Sequence, residues 1–295
     1  MCELNRFLIE CNQRYIGCGI CSKQCSNYHH CLNTGCAESY CKQCLAMIQR
    51  GRAAFTYNCK RITYHYALHF FYRFASEISN GMNFFTGSNN NRNLVVYSLG
   101  CGPGSEVFGI KHAILNKFPN FKLDYVGYDI NNIWDDIQNL NILYTANNGH
   151  SVRFCCENMF AAETPHKDID ILVLNYLLSD FVKFFDDTKK YELISDLIYF
   201  IFSHNVKIIL FNDIWHYGGK NGLDSGFQMM KCLIKKLKSL LTVRDFYLHY
   251  SGDGYSGSEP WITLNNNVLF QVDPSFSIQG ITSCNSKTVI CCLRR

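Results

Sequence analysis

The sequence predicts an α/β fold in two unequal parts: a doubly wound, mostly parallel sheet of seven strands, preceded by a small cysteine-rich module. Three observations support this prediction. Short apolar runs alternate with longer helix-like segments from residue 94 onward, and a glycine-rich turn follows the first of these runs. Ten of the 17 cysteines lie at or before Cys59. We therefore divide the chain into residues 1–60 and residues 61–295.

The composition narrows the class of protein. With 295 residues and 47% hydrophobic residues, the chain can bury a sizeable core. The net charge of +4 permits a nucleic-acid partner without arguing for one. The first residues have no signal-peptide pattern, and no apolar run is long enough to cross a bilayer. We therefore expect an intracellular protein, cytoplasmic or nuclear, with no membrane partner and with reduced cysteines.

The strands and helices are predicted from hydrophobic periodicity. An amphipathic helix is expected over residues 61–79, where apolar side chains recur every three or four positions. Five β-branched or aromatic runs follow, with helical patterns among them over roughly residues 104–117, 131–146, 178–203 and 222–241. This alternation favours parallel strands joined by crossover helices. Two more runs near the end complete the sheet. The predicted strands are residues 94–99, 122–129, 152–156, 169–175, 206–213, 242–250 and 287–293.

A glycine-rich turn stands between the first strand and the following helix. Gly100, Gly102 and Gly104 occupy this turn, where glycine can adopt positive φ and let a ligand approach the backbone. Asp129 ends the next predicted strand, and a carboxylate there can accept hydrogen bonds from both hydroxyls of a ribose. Strand, glycine turn, helix and distant acid together predict a site for an adenosine-containing ligand.

The spacing of the glycines distinguishes between two ligand classes. A dinucleotide site favours G-x-G-x-x-G with a pyrophosphate at the helix N-terminus, whereas this turn reads G-x-G-x-G. Glu106, in the first turn of the helix, is poorly placed beside a pyrophosphate. A cationic sulfonium ligand with an amino-acid tail fits better.

Residues 99–104 read L-G-C-G-P-G, and from about residue 94 to 293 the chain resembles the class I S-adenosylmethionine-dependent methyltransferases. The resemblance implies a Rossmann-like fold, methyltransferase activity and S-adenosylmethionine as cofactor. It also implies a set of cofactor-binding positions, with Asn158, or less favourably Glu157, meeting the adenine amino group. The implied positions are Ser98, Gly100, Gly102, Gly104, Asp129, Ile130, Asn158 and Asn175. Ser98 departs from the family, which usually has an acid there.

Candidate catalytic residues follow the fourth and fifth strands. His216 could act as a general base, and Asp213 precedes it at the end of the fifth strand. Tyr176, or Trp215, could stack on a planar substrate. Packing or turn roles for each of these residues remain an open alternative.

The N-terminal cysteines predict a zinc-binding module. Two C-x-x-C pairs about twenty residues apart can each supply two thiolates to a tetrahedral ion, and so short a segment needs a metal to hold its fold. We expect one site formed by Cys18, Cys21, Cys41 and Cys44, with Cys31 and Cys36 in a second; an interleaved pairing stays open. Cys11 and Cys59 are further candidates, and the metal's role is expected to be structural.

Three functions remain open from the sequence. The first is a methyltransferase acting on a macromolecule, RNA or protein, that the zinc module helps to recruit. The second is a methyltransferase of a small molecule. The third is a non-catalytic interaction protein built on the cofactor fold, which Ser98 motivates.

Overall fold

The computed structural model describes residues 1–18, 38–50, 57, 59–84, 93–117, 119–160, 168–214, 223–240, 242–250, 261–263 and 267–294. Within these ranges, short 3-10 turns at Met82–Phe84 and Asn132–Trp134 accompany the α-helices. The helices are α1 (Glu3–Gly17), α2 (Glu38–Gln49), α3 (Lys60–Gly81), α4 (Ser105–Lys117), α5 (Asp135–Thr145), α6 (Leu177–Phe184), α7 (Asp187–Ser203) and α8 (Gly226–Leu240).

The strands form one sheet in the described part of the chain. Their order is β3-β2-β1-β4-β5-β8-β6-β7. The strands are β1 (Asn93–Leu99), β2 (Lys122–Asp129), β3 (Ser151–Cys156), β4 (Ile171–Asn175), β5 (Ile208–Ile214), β6 (Thr242–Tyr250), β7 (Trp261–Thr263) and β8 (Ser286–Arg294).

This architecture confirms a Rossmann-like α/β fold with a mostly parallel sheet. Strands β1 to β5 pair in parallel, and β8 inserts antiparallel between β5 and β6. The strand order reverses between β1 and β4, which is the switch point where such sheets open a crevice for ligands. The sheet has one strand more than the seven predicted, because Trp261–Thr263 pairs with the end of β6.

Apolar clusters cover both faces of the sheet, so the sheet is doubly wound. On one face, alternate residues of β1, β4 and β5 pack against α7 and α8. On the other face, the intervening residues pack against α3 and α4. Tyr97 and Val96, neighbours on β1, illustrate the alternation, since they belong to opposite clusters.

The predicted helix over residues 178–203 is two helices. It breaks after Phe184, and α7 starts anew with Asp186 as its N-cap, whose side chain accepts from the Lys189 N–H at 3.0 Å. An N-cap aspartate satisfies a backbone donor that has no partner within the helix. Residues 186–190 (Asp-Asp-Thr-Lys-Lys) are all polar, so the apolar pattern is interrupted at the break, and this interruption was the signal that could have revealed it.

Helix α1 packs into the core of the larger part. Phe7 is fully buried, and its ring lies 5.1 Å from Phe71 of α3 and 5.0 Å from Phe108 of α4. Lys111 of α4 forms an ion pair with Glu3 at 2.7 Å, which holds the start of α1. The sequence suggested a separate module over residues 1–60, but its first helix shares the core of residues 61–295. No helix within the described ranges is both long and apolar enough to span a membrane.

Candidate active site

The glycine bend, residues 100–104, joins β1 to α4 in a left-handed backbone path. Gly100, Gly102 and Gly104 have φ angles of +58°, +51° and +77°. A Cβ atom on Gly104 would lie 2.5 Å from the Phe154 ring, so both the backbone and the space require glycine there. Gly100 is exposed, which leaves the start of the bend open to a ligand.

Side chains of α5 fix the shape of the bend. Gln138 donates to the Gly102 carbonyl at 2.6 Å. Asn141 donates to the carbonyls of Pro103 and Gly104 at 2.9 and 2.8 Å. These bonds satisfy buried carbonyl groups and make the bend a preformed structure.

Asp129 points at the glycine bend. Its Oδ2 accepts from the Gly102 N–H at 2.8 Å, and its Oδ1 accepts from the Asn131 N–H at 2.9 Å. The carboxylate is half-buried, and burial raises the pKa of Asp129 above its ordinary value. Each carboxylate oxygen can accept a further hydrogen bond, so Asp129 can still bind two ribose hydroxyls. Ile130 beside it is 80% exposed and offers an apolar surface to an adenine ring.

Ser98 lies beneath the bend and is fully buried. Its hydroxyl donates to Glu106 Oε1 at 2.6 Å, and the Tyr125 hydroxyl donates to the same oxygen at 2.7 Å. Burial raises the pKa of Glu106, and the hydrogen bonds from Ser98 and Tyr125 oppose that rise. The first turn of α4 thus places a carboxylate next to the position where the family usually has its acid.

Asn158 follows β3 and is exposed. Its Oδ1 accepts from the Phe160 N–H at 3.1 Å, which fixes the local turn. The sequence predicted that this oxygen meets the adenine amino group; a second lone pair remains for that contact.

Tyr176 follows β4 with a φ of +58°, a conformation uncommon for a residue with a side chain. Its hydroxyl donates to Glu77 Oε2 at 2.7 Å and accepts from Arg73 at 2.8 Å. Its ring packs on Phe74, with centroids 4.4 Å apart. Both hydrogen-bonding functions of the hydroxyl are occupied, so only the half-buried ring is available to a substrate.

Glu77 is the centre of a buried polar network that sequence reasoning missed. Its side chain is 1% exposed and forms an ion pair with Arg73 at 2.9 Å. Oε2 also accepts from Asn212 Nδ2 at 3.1 Å, while Oε1 accepts from the backbone N–H groups of Asn285 and Ser286. The network joins α3 to the ends of β4 and β5. Its visible signal in the sequence was Glu77, the single acidic residue of α3, four residues after Arg73.

Asp213, predicted near the substrate, is 1% exposed. Its Oδ2 accepts from the Ser179 N–H at 2.9 Å and its Oδ1 from the Ile214 N–H at 2.7 Å. Burial raises the pKa of Asp213 to about 7. Ser179 is in the first turn of α6, so the contact caps that helix. His216 and Trp215 lie outside the described residues.

The predicted zinc ligands are only partly described. Cys18 follows α1, and Cys41 and Cys44 lie one helical turn apart on α2, while Cys21, Cys31 and Cys36 lie outside the described residues. Among the residues that are described, no group of three or more potential ligands could hold a metal ion. Cys11 is fully buried in the apolar core around α1, which makes it a packing residue.

Fold and site together define a class. The class is a Rossmann-like α/β protein that has a left-handed glycine bend at the switch point of its sheet and a carboxylate on the next strand facing that bend. No protein-family model matches the sequence, and neither does any curated protein.

Solved methyltransferase structures resemble the chain at low sequence identity. The plantazolicin methyltransferase BpumL in complex with SAH is 12% identical with a TM-score of 0.42; the match covers 76% of this chain and 85% of that one. The magnesium protoporphyrin IX methyltransferase ChlM from Synechocystis PCC 6803 with bound SAM is 10% identical with a TM-score of 0.41, covering 80% and 81%. The human methyltransferase 10 domain containing protein is 9% identical with a TM-score of 0.42, covering 75% and 81%. Because these TM-scores lie below 0.5, the likeness carries no argument about this chain's activity.

Proposed function

We propose that this protein is an S-adenosylmethionine-dependent methyltransferase. The observation that carries the proposal is the contact between Asp129 and the Gly102 N–H, which places a carboxylate at the glycine bend. The L-G-C-G-P-G residues form this bend, and the exposed Ile130 lies next to the carboxylate. The set suits a nucleoside with free ribose hydroxyls and a planar base that packs on the Ile130 side chain.

The cofactor supplies an electrophilic methyl group on a sulfonium. The chain's part is to hold the nucleoside and to align the acceptor, because proximity and orientation supply much of the lowering of the barrier in such transfers. The preformed bend and Asp129 do the first task. Asn175 and the ring of Tyr176, at the end of the adjacent strand β4, are placed for the second.

Binding of the cofactor is the direct test. Calorimetry of the purified full chain with S-adenosylmethionine is expected to show saturable binding of one cofactor per chain. If no heat is detected at high micromolar cofactor, both methyltransferase hypotheses, the one for a macromolecule and the one for a small molecule, are contradicted. The remaining hypothesis is then the non-catalytic interaction protein, in which Ser98 replaces the usual acid.

We propose further that the acceptor is a macromolecule, RNA or protein, recruited with help from the cysteine module. Support comes from α2, whose Leu45 and Ile48 pack in one cluster with Phe70 and Phe74, which Tyr176 joins. Helix α2 thus packs near Tyr176, which supports a role for the module beside the acceptor. Labelled-methyl transfer to fractionated cell extract tests this; label found only in small molecules favours the small-molecule alternative.

We also propose that the module binds zinc through Cys18, Cys21, Cys41 and Cys44, with Cys31 and Cys36 in a second site. The clustering of thiols supports this: seven cysteines lie from Cys18 to Cys44, and Cys44 of α2 and Cys59, which directly precedes α3, pack against one apolar cluster. Elemental analysis is expected to find one or two zinc ions per chain. A Cys41→Ser, Cys44→Ser double variant should lose zinc, while Cys232→Ser on α8 should keep it. Well under one zinc in the unmodified chain would contradict the proposal.

A further inference from the structure

Asn175 lies on β4, the strand between β1, which leads into the glycine bend, and β5. It is the last residue of β4, where Leu174 pairs with Leu99 of β1 and Asn175 pairs with Asn212 of β5. Leu99 directly precedes the exposed Gly100. Asn175 is half-buried and ends β4 at the carboxyl edge of the sheet, the edge at which open α/β sheets bind their ligands.

The orientation of the Asn212 amide follows from its partners. A carboxylate only accepts hydrogen bonds, and the Arg73 guanidinium and two backbone N–H groups already donate to Glu77. The Asn212 atom 3.1 Å from Glu77 Oε2 is therefore Nδ2. The opposite atom, Oδ1, accepts from the hydroxyls of Ser286 at 2.6 Å and Thr288 at 2.8 Å.

The orientation of the Asn175 amide follows in turn. The second hydrogen on Asn212 Nδ2 is donated to Asn175 at 2.9 Å, so the Asn175 atom in this contact is its oxygen. The Asn175 Nδ2 group is thereby turned away from the network. Within the described residues no group accepts a hydrogen bond from it.

We propose that Asn175 presents its side-chain N–H2 group to the methyl acceptor, and that the group it meets is a hydrogen-bond acceptor such as a carbonyl oxygen or a ring nitrogen. If the substrate had an amino group at that place, two hydrogen-bond donors would face each other without an acceptor. Buried donors that lack an acceptor weaken binding strongly. Glu77 is the positioning residue, because it orients the Asn212 amide, which in turn orients the Asn175 amide. The inference rests on the proposed function and names the chemistry of its acceptor.

Hydrogen exchange of the asparagine side chains tests the orientation without any substrate. In protein labelled with 15N-asparagine, the Asn212 side-chain amide is expected to exchange at least about tenfold more slowly than that of Asn175, because both its hydrogens are buried and bonded. The Asn175 resonance is assigned by its loss in Asn175→Asp. Equal protection of the two amides would overturn the proposal.

Asn175→Asp tests the recognition. The aspartate keeps an oxygen for Asn212 but replaces the donor facing the acceptor with an oxygen. For the extract fraction that takes up most labelled methyl, KM should rise about tenfold or more at saturating S-adenosylmethionine, whose Kd is measured separately because the family resemblance also implies a cofactor contact for Asn175. Asn116→Asp makes the same change at an exposed position of α4 and should alter neither the KM nor the Kd.

The two measurements separate this inference from the proposed function. A lower KM in Asn175→Asp would mean that a donor such as an amino group is recognised, and an unchanged KM would mean that Asn175 does not contact the acceptor. Either result would overturn the inference while the methyltransferase activity itself stands. If the unmodified chain binds no S-adenosylmethionine, the proposed function fails, and the exchange measurement still decides how Asn175 is oriented.

Discussion

Asp129→Asn is expected to weaken the binding of S-adenosylmethionine by about 100-fold. The change keeps the shape of the side chain but removes its charge and turns one oxygen into a donor. Each hydrogen bond to a charged group contributes about 1.5–3 kcal/mol, so losing two of them corresponds to at least two factors of ten in affinity. Calorimetry on folded variant protein measures the loss directly.

Asp170→Asn is the matched control. Asp170 also accepts from a backbone N–H, that of Val95 at 2.9 Å, and pairs with Lys207 at 2.6 Å. It lies at the opposite end of the parallel strands, where β1 and β4 begin. Cofactor affinity should therefore stay within about twofold in this variant. An Asp129→Asn protein that binds within threefold of the unmodified chain would remove Asp129 from the site.

Glu77→Ala is expected to lower the free energy of unfolding by about 3–5 kcal/mol. The change leaves the Arg73 guanidinium buried without its counter-charge. It also leaves the donors that bind the carboxylate, including the Tyr176 hydroxyl and the Asn212 amide, without an acceptor. Urea unfolding followed by circular dichroism measures the difference. Glu77→Gln, which keeps the side-chain shape and one acceptor oxygen, should lose less and serves where the alanine variant does not fold.

Glu10→Ala provides the comparison, because Glu10 and Arg14 form the same pair one helical turn apart, but with side chains 32% and 41% exposed. Exposed pairs of this kind contribute at most about 1 kcal/mol. Similar losses in Glu77→Ala and Glu10→Ala would show that the buried network contributes little to stability.

The sequence by itself determined most of the sheet and the position of the glycine bend. Both are encoded by neighbouring residues: alternation along a strand, glycines where the chain must turn left-handed, and an acid directly at a strand's end. The structure accordingly has the bend over residues 100–104, with Asp129 facing it. Helix α1 was not predicted by these local rules, because its residues were assigned to the cysteine-rich segment that was expected to fold around zinc.

Only the tertiary structure decided which polar groups meet. Tyr176 reaches Glu77 across 99 residues of chain, and Asn212 reaches Glu77 across 135. No local pattern encodes such contacts, because they depend on how α3 lies against the ends of β4 and β5. For the same reason the sequence named Ser98 as a missing charge, while the fold pairs Ser98 with Glu106 from the following helix. Hydrogen bonds depend on distances of a few tenths of an ångström, and packing of distant segments sets those distances.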